Sequence, residues 1–144
     1  MSPDGLIPAL AFRVADVACA IPCAHVIETM RRLPVVALDE MPPFTAGLAT
    51  IRGTVTPVID LAAVIGRSGS GARMVTVRAG TRIVALLVDE VIGVLHFATG
   101  DFAGRPPLLA GSRPPVVHAL AVKDHALHLV LDAARLVEHA DAVS

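Results

Sequence analysis

Apolar residues in this chain arrive in short runs, and nearly every run is stopped by Gly, Pro or Asp. That punctuation favours many short strands over long helices. Leu10–Val14 alternates, with Leu10, Phe12 and Val14 on one face and Arg13 on the other, as a half-buried strand does. Val17–Ile21 is an apolar run that Pro22 ends. Cys23, Val26, Ile27 and Met30 have helical spacing, which predicts a short helix over Cys23–Met30 with Pro22 in its first turn. Leu33–Leu38 reads as a strand and Asp39–Thr45 as a loop. Ile51–Ile59 reads as two short strands, or one bent at Gly53, with Pro57 at an edge or bulge. Asp60 is placed to cap a one-turn helix, Leu61–Ile65, that Gly66 ends.

Arg67–Ala72 is the one linker-like stretch. Met74–Arg78 and Arg82–Val88 form a hairpin through Gly80-Thr81, and Val91–Phe97 adds a strand. Thr99–Pro115 is loop-like. Val117–Val122 and Ala126–Leu131 form a second hairpin around Asp124, and Asp132 caps a helix over Ala133–His139. Many short strands with three short helices point to small β-barrels or a sandwich, not a parallel α/β sheet.

The 144 residues suit one domain, and 54% of them are hydrophobic against a usual ~45–50%. The surplus is available to a core or to partners. With 12 basic and 13 acidic residues the formal net charge is −1, which gives no broad attraction to nucleic acid or anionic lipid. Aromatics are 3%, too few for base-stacking platforms. Lys123 is the only lysine, which reads as base-composition bias and carries little functional meaning. No apolar run reaches the ~18 residues of a membrane span. Ala18-Cys19-Ala20 imitates a cleavage site, but Arg13 and Asp16 break the run before it. A cytosolic protein is expected. Cys19 and Cys23 sit ~13 Å apart if extended, beyond the ~7 Å a disulfide tolerates, so buried thiols are expected.

Candidate chemistry is thin. Gly66 and Gly71 have phosphate-loop spacing, but Ala72-Arg73 stands where Lys-Ser/Thr is required. Ser68 and Ser70 lie on the linker without a nucleophile frame. His118, His125 and His128 are the one candidate metal or hydrolase set, yet His125 and His128 point to opposite faces of a strand. Asp89-Glu90 is a carboxylate pair whose members also point apart, a solvated strand end. Glu28 and Arg52 both stand in apolar company. They are either an ion pair with each other or two independent surface charges.

The segments together resemble the CheW-like coupling domain of bacterial chemotaxis systems. Phe12-Arg13-Val14, Ala20-Ile21-Pro22 and Val26-Ile27-Glu28 match the family opening. The most specific stretch is Pro43 to Leu61, with its Gly47-Leu48, Arg52-Gly53, Pro57-Val58 and Asp60-Leu61 spacing. Val84–Val91 and Leu129–Ala133 through Leu136 match two further motifs, so the resemblance covers Leu10 to Val137. Ala85 stands where the family often has Gly, Pro43 directly precedes Phe44, and Phe97–Pro115 matches poorly.

The resemblance implies two five-stranded SH3-like β-barrels sharing a hydrophobic core, plus short helices including a C-terminal one. It implies a single domain over 6–140, with flexible termini at 1–5 and 141–144. The chain is too short to add a kinase catalytic, phosphotransfer or receiver domain. It implies a non-catalytic adaptor with no cofactor and no metal. Its partners would be the regulatory domain of a CheA-type histidine kinase and the cytoplasmic tip of a chemoreceptor. No nucleic acid and no direct membrane insertion are expected, and the protein would sit in the cytoplasm at receptor arrays on the inner face of the membrane. Val26, Gly47, Met74 and Val91 match positions of receptor or kinase contact, or of plain core packing. Glu28–Arg52 becomes a structural pair shaping the receptor-facing groove. Other readings are an adaptor of a related chemosensory pathway such as twitching motility, a small metal-binding enzyme using the three histidines, and a nucleic-acid-binding barrel.

Overall fold

A computed structural model describes residues 5–102 and 116–141. Among these residues ten strands and two α-helices follow in order. They are β1 (Ile7–Val14), β2 (Val17–Pro22), β3 (Val26–Arg31), β4 (Thr45–Ile51), β5 (Thr54–Asp60) and α1 (Leu61–Val64). Then come β6 (Arg73–Ala79), β7 (Arg82–Val88), β8 (Glu90–Phe97), β9 (Val117–Lys123), β10 (Ala126–Leu131) and α2 (Ala133–Asp141). They build two five-stranded sheets, ordered β8-β1-β2-β10-β9 and β3-β6-β7-β5-β4. The second sheet is therefore one continuous stretch of chain inserted between β2 and β8 of the first. Each sheet is antiparallel except for one neighbour pair, β2 with β10 and β5 with β7.

A central cluster joins the sheets. Phe12, Val14 and Ile21 of the first pack against Ile59, Val75 and Leu86 of the second, with Leu61 and Leu136 from the helices. Each sheet also has its own cluster, around Phe97 and Val130 in the first and around Met74 and Val58 in the second. Strand β7 explains its uninterrupted apolar run by lying between two of these. Val84, Leu86 and Val88 face the central cluster, while Ala85 and Leu87 face the second sheet's own. The two-barrel expectation holds.

The local expectations divide. Asp60 caps α1 by accepting from the Ala63 N–H at 3.4 Å, and Gly66 follows at φ +73°. Asp132 caps α2, its Oδ1 accepting from Ala134 and Arg135 N–H. Both expected hairpins form. The helix expected over Cys23–Met30 does not. Only Cys23–His25 turns, as a single 3-10 step, and Val26–Arg31 is a strand. Val26, Glu28 and Met30 are half-buried while Ile27, Thr29 and Arg31 are exposed. Glu28 at an inward position disguised that alternation, and a bulge between Val26 and Glu28 shifts its phase. β-branched Val26, Ile27 and Thr29 favour the strand. Leu33–Leu38 is not a strand either. Pro34 lacks a donor, and only Val36 pairs, forming a bridge with Leu48 through bonds of 2.8 and 2.9 Å. Most of the Thr99–Pro115 loop lies outside the described residues, as do the outermost residues of both termini.

Cys19 is buried and Cys23 half-buried, both free. Burial pushes the Cys19 thiol up to about 12, so it stays protonated at neutral pH. No described helix is long and apolar enough to cross a membrane.

Candidate functional site

Sheet order leaves β3 and β4 as the two edges of the second sheet, and one ion pair spans them. Arg52 sits in the two-residue turn after β4, with φ +52°, followed by Gly53 at +78°. Two successive positive φ values make this a tight hairpin turn, which normally selects Asn, Asp or Gly first. An arginine held there is backbone strain beside a side chain with a task. Its guanidinium reaches back to β3 and grips Glu28 with both arms, Nη2 to Oε1 at 2.9 Å and Nε to Oε2 at 3.2 Å.

Of the two open readings of these charges, the ion pair is the one found. The surroundings differ from expectation. The Arg52 side chain is 79% exposed and Glu28 28%, so the pair lies on the surface, clasping the barrel shut from outside. Surface pairs add little stability, and the clasp's contribution is mainly to geometry. The hydrogen bond from Arg52 lowers the Glu28 pKa below its ordinary 4.5, with partial burial opposing it and the positive charge assisting. A carboxylate with a lowered folded pKa stabilises above its unfolded pKa and loses that contribution as pH falls through the folded value. Arg52→Gln should therefore lower the urea midpoint modestly at pH 7. The difference from wild type should shrink as pH drops below about 4.5. A difference that is constant with pH would show that the pair is not the cause.

The four carried-over positions do not form one patch. Gly47 is buried in β4 at φ +151°. A Cβ there would stand 2.2 Å from the backbone oxygen of Val36, so Gly47 is what lets the segment after β3 lie against β4. Met74 is fully buried, its Sδ 3.5 Å from the Leu33 N–H. It offers no surface to a partner in this conformation. Val26 and Val91 are half-buried against the central cluster, one on each sheet.

The Asp89-Glu90 expectation is corrected. Asp89 lies at the junction of β7 and β8, and there both carboxylates turn to Arg13, at 3.5 and 3.4 Å. Arg13 also donates to the carbonyl of Ala15. The Asp89 N–H donates to the Arg13 carbonyl at 2.9 Å, so this cluster ties the inserted sheet back to β1. Adjacent residues point apart only inside a regular strand; the kink between the sheets removes that constraint. Gly69 leaves room for Asp89, since a Cβ there would meet Oδ1 at 2.4 Å. The histidines do not converge. His128 is buried edge-on against Phe97, with ring centroids 5.5 Å apart, while His118 and His125 are exposed. Among the described residues no three His, Cys, Asp or Glu stand close enough to hold a metal.

What sequence reading missed is apolar exposure. Ile92 and Val94 project from edge strand β8, and Val122 and Leu127 oppose each other on β9 and β10. The apolar run Val91-Ile92-Gly93-Val94-Leu95 is visible in the sequence, but its exposure follows from the edge position of β8.

The CheW-like domain pattern matches residues 8–141. Protein FrzA of Myxococcus xanthus is 29% identical over 123 residues, covering 77% of this chain and 76% of that protein. A probable chemotaxis protein CheW of Rhizobium etli is 36% identical over 90 residues, 60% of this chain and 58% of that one. Protein PilI of Pseudomonas aeruginosa is 26% identical over 115 residues, 77% of this chain and 65% of that protein. The crystal structure of the scaffolding protein TtCheW from Thermoanaerobacter tengcongensis superposes with a TM-score of 0.78. It shares 23% identity and covers 88% of this chain and 89% of that one. With that fold, and with the pattern running from β1 to the end of α2, the chain belongs to the CheW-like domain family, the scaffolding and coupling proteins of chemosensory systems.

Proposed function

We propose that this chain is a non-catalytic coupling adaptor that links chemoreceptor cytoplasmic tips to the regulatory domain of a CheA-type histidine kinase, in the cytoplasm at receptor arrays. The observation that carries the reading is the family match over residues 8–141. The molecule's own features agree with it. Exposed Ile92, Val94, Val122 and Leu127 flank the clusters as aliphatic anchors of the kind a helix or strand docks on. Each contact is allowed to be weak, because an array supplies avidity. Signalling then requires contacts that differ between kinase states. In this reading Glu28–Arg52 shapes the receptor-facing surface, while Gly47 and Met74 act by holding its frame. Arg52→Ala would weaken receptor coupling together with the loss of the clasp.

A titration against the isolated regulatory domain of the host's CheA-type kinase tests the reading. Saturable binding is expected, and Ile92→Asp, an exposed position, should weaken it at least tenfold with the fold intact. Val91→Asp should also abolish it, with some loss of stability, since Val91 is half-buried. Absence of saturable binding to any such kinase domain would sink the coupling role and leave the fold untouched. The matches to FrzA and PilI favour a second reading, an adaptor of a related chemosensory pathway such as twitching motility. A deletion strain losing that behaviour but keeping chemotaxis would select it.

A further inference from the structure

Two arginines face each other at one corner of the second sheet, and a third follows in the chain. Arg31 ends β3 and Arg73 opens β6, and the two are direct partners across the antiparallel pair. The adjacent pair, Met30 and Met74, packs into the barrel's own cluster. Arg31 and Arg73 therefore share the opposite face. The next residue, Arg32, donates its N–H to the Ala72 carbonyl at 3.1 Å and lays Nη1 3.5 Å from the Gly71 carbonyl, toward Leu87 on the Met30–Met74 face. Arg31 and Arg32 are exposed and Arg73 is half-buried. The ion pairs among the described residues engage Arg13, Arg52, Arg67 and Arg135; none engages these three.

Like charges directly opposite on neighbouring strands are destabilising. A neutral or acidic residue at either position would suit folding better. Unpaired and partly exposed, the two guanidiniums are free to take an acidic partner that would relieve their repulsion.

We propose that Arg31 and Arg73 form a docking point for an acidic segment of a protein partner, an extended stretch with Asp or Glu at alternate positions. Alternate residues of an extended chain point the same way at ~7 Å intervals. Such a row meets two neighbouring guanidiniums, and each fork takes a carboxylate through two bonds. A membrane or a nucleic acid needs a broad basic surface, and this chain has a formal net charge of −1. Guanidinium forks also accept phosphate, so inorganic phosphate is one arm of the test.

The test is a fluorescence-anisotropy titration of the intact chain with a labelled peptide of eight glutamates. Saturable binding that weakens with salt is expected. Arg31→Gln and Arg73→Gln should each weaken it about tenfold, ~1.4 kcal/mol. Lys123→Gln, on the other sheet, should leave it unchanged. Arg31→Glu should abolish binding and raise Tm, because it puts an opposite charge across from Arg73. The proposal fails if the peptide does not saturate, or if Lys123→Gln weakens binding as much as the arginine variants. It fails equally if inorganic phosphate or phosphatidylglycerol vesicles bind where the peptide does not, or if Arg31→Glu lowers Tm and keeps binding. None of these outcomes bears on kinase coupling, so the two readings stand or fall separately.

Discussion

Gly47→Ala should cost ~2–4 kcal/mol, a large share of the ~5–15 kcal/mol that keeps a domain folded. The methyl would sit 2.2 Å from Val36 O and 2.7 Å from Val36 C, atoms of backbone that no rotamer change can move aside. That carbonyl also accepts from the Leu48 N–H at 2.9 Å, and the Val36 N–H donates back to the Leu48 carbonyl at 2.8 Å. Relieving the clash means giving up this pair of bonds, and φ +151° adds strain for any side chain. Gly53→Ala is the control. Gly53 also has positive φ, but a Cβ there meets nothing within 4 Å, so its cost should stay near ~1 kcal/mol. Urea midpoints of the two variants decide the matter. Equal losses would mean that close approach to Val36 is not what Gly47 is for.

The consequence reaches the proposed partner surface. Residues 32–36 run from edge strand β3 to edge strand β4, and the Glu28–Arg52 clasp spans the same gap. Gly47 and Arg52 thus lie on one hairpin, β4–β5, and both serve barrel closure. A buried glycine can affect partner binding without touching the partner, by releasing the segment that frames the clasp.

That logic also explains how much was legible in the sequence. Strands apolar on both faces, such as β1 and β7, announce themselves through burial, although in β1 the spacing showed only the Leu10, Phe12 and Val14 face and Ala9 and Ala11 are buried on the other. Caps at Asp60 and Asp132 announce themselves because the bonds they make are local. Strand β3 stayed hidden because its inward residue is Glu28, whose partner is 24 positions away. Asp89 and Glu90 were misread because Arg13, their common partner, is 76 and 77 positions away. Local pattern reports which face a residue takes; it does not report what closes a barrel. The resemblance supplied Glu28–Arg52, where spacing left two readings open. Surface exposure of the pair, and of Ile92 and Val94, depends on sheet order, which no spacing rule contains.

Leu136→Ala should unfold both sheets more easily, by the same amount. Leu136 is fully buried in the central cluster, and truncating a buried leucine costs ~2–5 kcal/mol. Its helix follows β10 of the first sheet yet packs on β5, β6 and β7 of the second. The second sheet is in turn inserted between β2 and β8 of the first, and the Asp89–Arg13 bond ties its exit to β1. Neither sheet then keeps its buried face without the other. Native-state hydrogen exchange reads this directly. Amides of Leu10–Val14 in β1 and Val84–Val88 in β7 should lose protection together, by about a hundredfold for a loss of ~3 kcal/mol. Loss confined to β6 and β7 would mean that the sheets open independently and that α2 merely caps the second. Joint loss would mean one cooperative unit, in which a partner pressing on either barrel is felt by both.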